Sequence, residues 1–245
     1  MKEVSFTVLE NAGIAPRTFR MKLSGDTSGI RGSGEFVQIA LPGKFLRRPI
    51  SVHDCDWDTL TLVYKVVGGG TEAMSKMQAG DRLSALTGLG NNFDIDACRS
   101  KALLLGGGVG AAPLYLLAKE LCAQGKEATV VLGFNTAEEI MLEKDFENLN
   151  ARVHIATLDG SAGNRGFVTD VLKIKNLSYD YFYACGPRPM LRAVCGAIKG
   201  PGELSMEERM GCGAGFCYGC TIQTAGGPAR VCADGPVFKK EELIW

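Results

Sequence analysis

Four cysteines near the C-terminus constrain this chain more than any other feature. Cys212, Cys217 and Cys220 are separated by four and then two residues, and Cys232 follows after eleven more. This spacing matches the plant-type ligand run of a 2Fe–2S cluster, in which four thiolates hold two irons. Glycines at positions 211, 213, 215 and 219 allow the tight curl that such a run needs. The spacing therefore predicts that these four cysteines bind a 2Fe–2S cluster.

Spacing alone leaves two other uses of the thiols open. A structural zinc site is one, although such sites usually show two C-x2–4-C pairs, and here a lone cysteine stands on one side. Disulfides are the other, although nine cysteines is an odd number and the remaining five are scattered at positions 55, 98, 122, 185 and 195. In a reducing compartment, we expect those five to be buried apolar residues.

Length and charge narrow the class of protein. The 245 residues fit two domains or one large one, and 27 basic residues balance 27 acidic ones. No net field therefore favours nucleic acid or an anionic membrane as a partner. No uncharged apolar run reaches the ~20 residues of a membrane-spanning helix, and the first residues lack the pattern of a secretory signal. We expect a soluble, cytoplasmic protein.

Residues 1–98 carry a β pattern. Short runs of alternating or β-branched residues are separated by turns rich in Gly, Pro, Asp and Ser, which predicts a small antiparallel barrel. One helix is predicted over 72–78. The predicted strands span 4–9, 18–23, 35–41, 50–54, 59–67 and 82–87.

Residues 99–202 alternate between wholly apolar strands and helices, which predicts a parallel sheet covered on both faces. The predicted strands are 102–105, 128–134, 152–158 and 181–184, and the predicted helices are 112–124, 137–149, 167–172 and 188–198. Residues 203–245 form a third segment, which carries the cysteines. The predicted fold class is thus an antiparallel β-barrel, a parallel-sheet α/β nucleotide-binding domain and a C-terminal 2Fe–2S segment.

A glycine-rich turn lies between the first predicted parallel strand and the helix that follows. Gly106, Gly108 and Gly110 would let the backbone approach a pyrophosphate at a helix N-terminus, although such turns can also serve close packing alone. The acidic residue expected for a ribose is not cleanly placed, since Glu138 and Glu139 come late. The absence of Arg or Lys at the end of the second strand favours NAD over NADP.

Two further motifs lie where a ligand could bind. Cys185-Gly186-Pro187 ends the fourth parallel strand at the edge where open α/β sheets bind ligands, or it is simply a strand-to-helix turn. Arg48-Pro49-Ile50-Ser51 and the glycine loop before Thr71 could hold a diphosphate, or they could be a solvated arginine and an ordinary loop. His53 and His154 are isolated, and we expect both to be structural.

In this order, the motifs resemble the ferredoxin reductase family. Together with the C-terminal cysteines, they resemble one branch of it, the electron-transfer subunits of NAD-dependent bacterial dihydroorotate dehydrogenases. The resemblance covers essentially all 245 residues. It implies an FAD-binding barrel over residues 1–98, an NAD-binding domain over 99–202 and a cluster-binding segment over 203–245.

The resemblance also implies roles for individual residues. Arg48, Pro49, Ile50 and Ser51 would bind the flavin and its phosphate, and Gly70 with Thr71 would cap the FAD pyrophosphate. Cys185, Gly186 and Pro187 would lie near the nicotinamide, with Cys185 the nearest candidate for a catalytic group. Further positions typical of the subunit, which we expect to bind cofactor, are Tyr64, Lys65, Val66 and Asp159.

The implied function is electron transfer in pyrimidine (UMP) biosynthesis. A partner subunit would oxidise dihydroorotate on its own FMN, and this chain would pass the electrons through the 2Fe–2S cluster and FAD to NAD. The partner is expected to form a heterotetramer with it, two copies of each. We find no candidate base for dihydroorotate oxidation here, so the chain alone should be inactive on dihydroorotate.

Other readings of the same motifs stay open. A related reductase subunit could serve a hydrogenase, a sulfide dehydrogenase or a ferredoxin:NADP bifurcating complex, and the partner would tell these apart. A zinc-stabilised nucleotide-binding or adaptor module would be colourless. The apolar residues of the cysteine segment could form a local core or a docking surface, and these are Met206, Met210, Phe216, Tyr218 and Ile222.

Overall fold

The N-terminal part of the chain is a closed six-stranded barrel. The computed structural model describes all 245 residues. Every neighbouring pair of strands in the barrel is antiparallel, and the order around it is β1-β2-β5-β4-β3-β6. The strands are β1 (Lys2–Ala15), β2 (Thr18–Ser24), β3 (Phe36–Ala40), β4 (Arg48–Cys55), β5 (Thr59–Lys65) and β6 (Arg82–Leu89). The predicted barrel is confirmed.

Strand β3 is buried on both of its faces. Side chains alternate across a strand, and Val37 and Ile39 accordingly point into the barrel core. Phe36 and Gln38 point the other way, yet both are buried, because the C-terminal part of the chain covers this outer face. The barrel is therefore joined to the rest of the molecule along β3.

The second unit is a seven-stranded sheet in the order β10-β9-β8-β7-β11-β12-β15. Its central strands are parallel and apolar on both sides: Leu104 packs into one core cluster, whereas Leu103 and Leu105 pack into another on the opposite face. The strands from the α/β part are β7 (Lys101–Gly107), β8 (Glu127–Phe134), β9 (Arg152–Thr157), β10 (Asn164–Arg165) and β11 (Tyr181–Cys185).

Five α-helices complete the fold, and none has the length and apolar character needed to span a membrane. They are α1 (Gly69–Ser75), α2 (Pro113–Ala123), α3 (Glu143–Asn148), α4 (Val168–Ile174) and α5 (Arg188–Ala197). The single helix predicted over 137–149 is wrong. A 3₁₀ turn at Ala137–Glu139 is followed by Leu142 at φ +65°, which interrupts helical geometry before α3 begins.

The C-terminal segment adds two strands to the parallel sheet, which sequence patterns did not predict. Strand β12 (Gly202–Ser205) runs parallel to β11, and β15 (Val237–Lys239) pairs antiparallel with β12. Between them lies a small hairpin of β13 (Thr221–Thr224) and β14 (Gly227–Arg230). The proposed boundary between residues 202 and 203 falls inside β12, a strand of the parallel sheet. The second and third segments therefore share one sheet, and the division into three segments remains a proposal based on function.

Polar contacts fix the barrel against α2. Lys119 Nζ lies 2.8 Å from Asp54 Oδ1, and His53 Nδ1 donates a hydrogen bond of 2.9 Å to the carbonyl of Ala112. Burial lowers the pKa of His53, so its neutral imidazole serves this contact. This is the structural role expected for His53.

Asn91, just beyond β6, ties the barrel to β15. Its side chain donates to the carbonyl of Val237 at 2.8 Å and accepts from the Val237 N–H at 2.9 Å. Asn91→Ala would leave both backbone groups of buried Val237 without these partners, which should cost about 1–3 kcal/mol of unfolding free energy.

Denaturant unfolding of the purified chain measures this cost. The control is Asn176→Ala, at an exposed position outside the sheet, which should change the unfolding free energy by no more than about 0.5 kcal/mol. Equal midpoints for the two variants would show that Asn91 does not stabilise the junction.

Candidate functional site

The four C-terminal cysteines lie together on one loop and the hairpin beside it. The Cys212 thiol lies next to the Cys217 thiol, and the Cys232 thiol lies next to that of Cys220. No three His, Cys, Asp or Glu side chains in the chain converge as ligands of one metal ion. Two pairs of sulfurs suit a group with two metal centres, each held by two thiolates, better than a single zinc ion.

Backbone N–H groups point at the sulfurs from several directions. The Sγ of Cys212 accepts from Ala214, Phe216 and Cys217 at 3.3–3.4 Å. Burial alone would raise the pKa of Cys212, but these donors lower it to about 6. The Sγ of Cys232 accepts from Gly215 at 3.2 Å. The loop thus favours negative charge at Cys212, as the thiolates of a cluster require, whereas burial and the neighbouring Cys220 thiol raise the pKa of Cys232.

The two pairs differ in exposure. Cys220 and Cys232 are buried and belong to the apolar core cluster that also contains Phe36 and Met206. Cys217 is exposed on the loop. The aromatic residues beside it are 78% exposed (Phe216) and 65% exposed (Tyr218). A group held by all four sulfurs would thus reach from the protein core to its surface.

Arg230 on β14 holds the cysteine loop in place. Its Nη1 donates to the carbonyl of Gly215 at 2.8 Å, and its guanidinium forms a two-pronged contact with Asp234 at 2.9 Å. The same guanidinium lies 5.2 Å from the centre of the Tyr218 ring. These contacts connect the loop to the hairpin that carries Cys232.

A first cleft, here called the barrel cleft, lies between the barrel and the sheet and has a volume of about 380 Å³. Ala112 and Pro113 form part of its wall on the sheet side, and Phe36, Met206 and Met210 lie at another part. The residues of the barrel cleft that were predicted to bind cofactor are Arg48, Pro49, Ile50, Ser51, Tyr64, Lys65 and Thr71.

Arg48 crosses the start of α1 in this cleft. A Cβ at Gly70 would collide with the Arg48 side chain, so glycine leaves room for the arginine in this position. Lys44 reaches the neighbouring Gly69, and the first N–H groups of α1 have no partners within the helix. Two cations and unpaired N–H groups suit a diphosphate. The Thr71 hydroxyl is already used, since it accepts from the N–H of Val67.

A second cleft, here called the sheet cleft, lies at the carboxyl edge of the parallel strands and has a volume of about 500 Å³. The glycine-rich turn after β7 forms one side through Gly107, Gly108 and Gly110. Pro187 and Met190 at the start of α5 also line the cleft and pack against Gly107. Crevices at this edge are where open α/β sheets bind nucleotides.

The two clefts share a wall. Lys65, Val109, Gly110 and Glu207 line both of them. A Cβ at Gly110 would lie 2.5 Å from the carbonyl oxygen of Cys185, so the glycine-rich turn and the Cys185-Gly186-Pro187 turn touch through their backbones. Molecules bound in the two clefts would meet at this wall.

Cys185 faces the barrel cleft at this wall, and Glu207 stands beside it. Burial raises the pKa of the Cys185 thiol, and the nearby Glu207 carboxylate raises it further, so the thiol stays protonated. Removal of water by the surrounding wall raises the pKa of Glu207, although its side chain reaches the surface. Sequence reasoning missed Glu207, because the short strand β12 that places it at this wall was not predicted either.

Two acidic residues lie around Asn135 at the sheet cleft. Glu139 lies 3.2 Å from Lys65 Nζ and accepts from the N–H and side-chain amide of Asn135. Asp159 accepts from Ser161, and its own N–H donates to the carbonyl of Asn135. Two carboxylates suit the hydroxyls of a ribose and repel a 2′-phosphate. This arrangement favours NAD over NADP.

Some predicted residues lie near the clefts without lining them. Val66 packs into the barrel core, and Gly106 packs against Ala111 and Leu132. Asp159 stands at the edge of the sheet cleft beside Leu158, which lines it. Gly186 packs against Gly107 and Met190. The roles of these residues in cofactor binding remain predictions.

The barrel cleft and the cysteines are connected by apolar side chains. Phe36 and Met206 line the barrel cleft and also belong to the core cluster that contains Cys220 and Cys232. Sequence patterns did not single out Phe36, because it reads as one more apolar residue of a strand.

Comparison with known proteins gives consistent results. A family profile described as the iron-sulfur cluster binding domain of dihydroorotate dehydrogenase B matches residues 207–244, and one described as an oxidoreductase NAD-binding domain matches residues 104–196. The dihydroorotate dehydrogenase B (NAD(+)) electron transfer subunit of Fusobacterium nucleatum is 39% identical over 99% of both chains. The subunit of that name from Bacillus caldolyticus is 41% identical over 97% of both.

Solved structures share the fold. An NADH-dependent reduced ferredoxin-NADP oxidoreductase, described in connection with flavin-based electron bifurcation, superimposes with a TM-score of 0.89 and 31% identity, over 98% of this chain and 90% of that one. Phthalate dioxygenase reductase superimposes with a TM-score of 0.63 at 20% identity, over 79% of this chain and 63% of that one, and so shows the fold alone.

Arg48→Ala should weaken FAD binding, because a diphosphate would lose a charge-assisted contact worth about 1.5–3 kcal/mol. That corresponds to roughly a tenfold to hundredfold rise in the dissociation constant of FAD. The constant is measured by adding FAD to the flavin-free chain and following flavin fluorescence. Arg47→Ala is the matched control, since Arg47 pairs with Glu3 outside the cleft. An unchanged dissociation constant for Arg48→Ala would contradict its assignment.

Arg230→Ala should make an iron–sulfur cluster less persistent, because the loop loses its contact to the Gly215 carbonyl. The lost hydrogen bond is worth roughly 1 kcal/mol. We therefore expect the visible absorbance of the cluster in air to decay about fivefold faster than in the unaltered chain. Arg209→Ala changes an exposed arginine of the same segment and should decay at the original rate. Equal decay in both variants would rule out the holding role of Arg230.

Proposed function

Since the chain belongs to the family of dihydroorotate dehydrogenase B (NAD(+)) electron transfer subunits, we propose that it connects NAD to a dihydroorotate dehydrogenase catalytic subunit. Electrons from dihydroorotate, oxidised in that partner, leave through this chain to NAD+ in the biosynthesis of pyrimidines (UMP). The chain is an oxidoreductase subunit that uses FAD, a 2Fe–2S cluster and NAD.

The observation that carries the proposal is the series of contacts across the molecule. The sheet cleft and the barrel cleft share one wall, and Phe36 and Met206 join the barrel cleft to Cys220 and Cys232. The other sulfur pair, which includes Cys217, reaches the surface. This order of sites matches the transfer of electrons between a nucleotide on one side and a partner protein on the other.

The order of the cofactors follows from their chemistry. NAD exchanges two electrons as a hydride, an iron–sulfur cluster passes one at a time, and a bound flavin can do either. We therefore assign NAD to the sheet cleft and FAD to the barrel cleft, next to the sulfur pairs. The glycine-rich turn supports the NAD assignment, and Arg48 and Ser51 support that of FAD.

Residues of this chain control the contact between the clefts, the charge at their shared wall and the access of water. Gly110 and Cys185 bring the two clefts into contact, and the protonated Cys185 thiol adds no charge there. Glu207 contributes a carboxyl group to the shared wall. Because its pKa is raised, this group can hold a proton there. Phe36 and Met206 exclude water between the barrel cleft and the buried cysteines.

Two further features of the assembly belong to this proposal. We infer a cytoplasmic location, because all nine cysteines are free and the proposed ligands need a reducing compartment. We also propose that two copies of the chain join two catalytic subunits. Exposed Phe216 and Tyr218 beside Cys217 support a partner contact at the cluster.

Cys220→Ser, compared with the unaltered chain, tests the proposal in the complex with the catalytic subunit. The variant should keep FAD but lose the iron–sulfur absorbance and nearly all dihydroorotate-dependent reduction of NAD+. Cys122→Ser, a half-buried thiol on α2, is the matched control and should retain both. The chain without its partner should reduce no NAD+ with dihydroorotate.

Full coupled activity in Cys220→Ser would refute the ligand assignment. A colourless unaltered chain that folds and contains zinc would refute the redox function itself. Failure to associate with a dihydroorotate dehydrogenase catalytic subunit, together with stable association with a bifurcating complex, would instead favour the reductase to which the chain is 31% identical.

A further inference from the structure

Gln38 is a buried polar residue in an otherwise apolar place. It lies in the middle of β3, which is paired on one side with β4 and on the other with β6. Its side chain is fully buried, and neither Nε2 nor Oε1 has a hydrogen-bond partner within the chain. Such an amide costs folding free energy unless another molecule supplies its partners.

The amide is directed at the cysteine loop. A Cβ at Gly213 would collide with Gln38 Nε2 and lie 2.6 Å from its Cδ, so the amide packs against the backbone of Gly213. Gly213 has φ +67° and follows Cys212 directly. Glycine is therefore needed there for its conformation as well as for the space that Gln38 takes up.

The neighbours of Gln38 along and across the sheet are apolar. Phe36 precedes it on the same outer face of β3, and Leu86 is its partner on β6; both pack in the apolar cluster around Cys220 and Cys232. A 2Fe–2S cluster held by the four cysteines would bring sulfurs with unused lone pairs to this place.

We propose that Gln38 Nε2 donates a hydrogen bond to a sulfur of the cluster on its Cys212 side, and that this bond sets the reduction potential of the cluster. The inference rests on the proposed function, which supplies the cluster. Uptake of one electron makes the cluster more negative, so a nearby donor stabilises the reduced form more than the oxidised form. Gln38 would thus raise the potential and favour electron entry into this chain.

Gln38→Leu tests this role, because leucine fills similar space without a donor. The full chain is purified without oxygen. At a fixed potential, the ratio of reduced to oxidised cluster should fall about tenfold in the variant. For a one-electron couple, this means that the reduction potential of the cluster falls by about 59 mV. Iron content and flavin content should stay the same. Redox titration followed by electron paramagnetic resonance gives the potential.

Gln223→Leu is the matched control. Gln223 is an exposed glutamine on β13, within the cysteine segment, and its replacement should leave the potential unchanged. A loaded Gln38→Leu chain with the potential of the unaltered protein would overturn the proposal. A wild-type chain without any iron–sulfur absorbance would contradict the proposed function instead.

A second measurement tests the proposal even if Gln38→Leu fails to fold or to bind a cluster. The chain has four glutamines, and the other three, Gln78, Gln124 and Gln223, are exposed. Labelling the glutamine side chains with ¹⁵N should therefore give a hyperfine coupling between the reduced cluster of the unaltered chain and the Gln38 amide. Absence of that coupling in the loaded protein would overturn the proposal.

Discussion

The packing of the C-terminal segment against the outer face of β3 is the contact on which the rest of this structure depends. That segment supplies β12 and β15 to the parallel sheet and also carries all four clustered cysteines. Because β12 and β15 are fixed in the sheet, the cysteine loop between them is pressed against Phe36 and Gln38 of the barrel. The barrel, the sheet and the sulfurs are thereby held in one arrangement, and the two clefts form where they meet.

This arrangement gives each sulfur pair a different environment. Cys220 and Cys232 are enclosed by apolar side chains that also line the barrel cleft, whereas Cys217 lies at the surface beside exposed aromatic rings. In the proposed function, a cofactor shared by the two pairs would face a flavin on one side and a partner protein on the other. The N–H groups of the loop and the Gln38 amide lie where they can modulate its charge.

Much of the fold could be predicted because its signals are local. The barrel strands alternate in polarity, the parallel strands are uniformly apolar, and both patterns extend over enough residues to be read. The errors fell where long-range contacts decide: the helix predicted over 137–149 breaks at Leu142, where Glu139 turns to meet Lys65 of the barrel. Strands as short as β12 and β15 carry little pattern of their own and exist because a sheet edge was available to them.

The sequence by itself determined the kind of chemistry, since the spacing of four cysteines and the order of the motifs are properties of the chain. It did not reveal that the sulfurs fall into two pairs, that Glu207 stands at the shared wall or that Gln38 faces Gly213. Those facts require residues far apart in the chain to meet: Gln38 and Gly213 belong to different units and touch only because β3 and the cysteine loop pack together. Local patterns encode strands, turns and ligands, whereas the distances between them are set by packing alone.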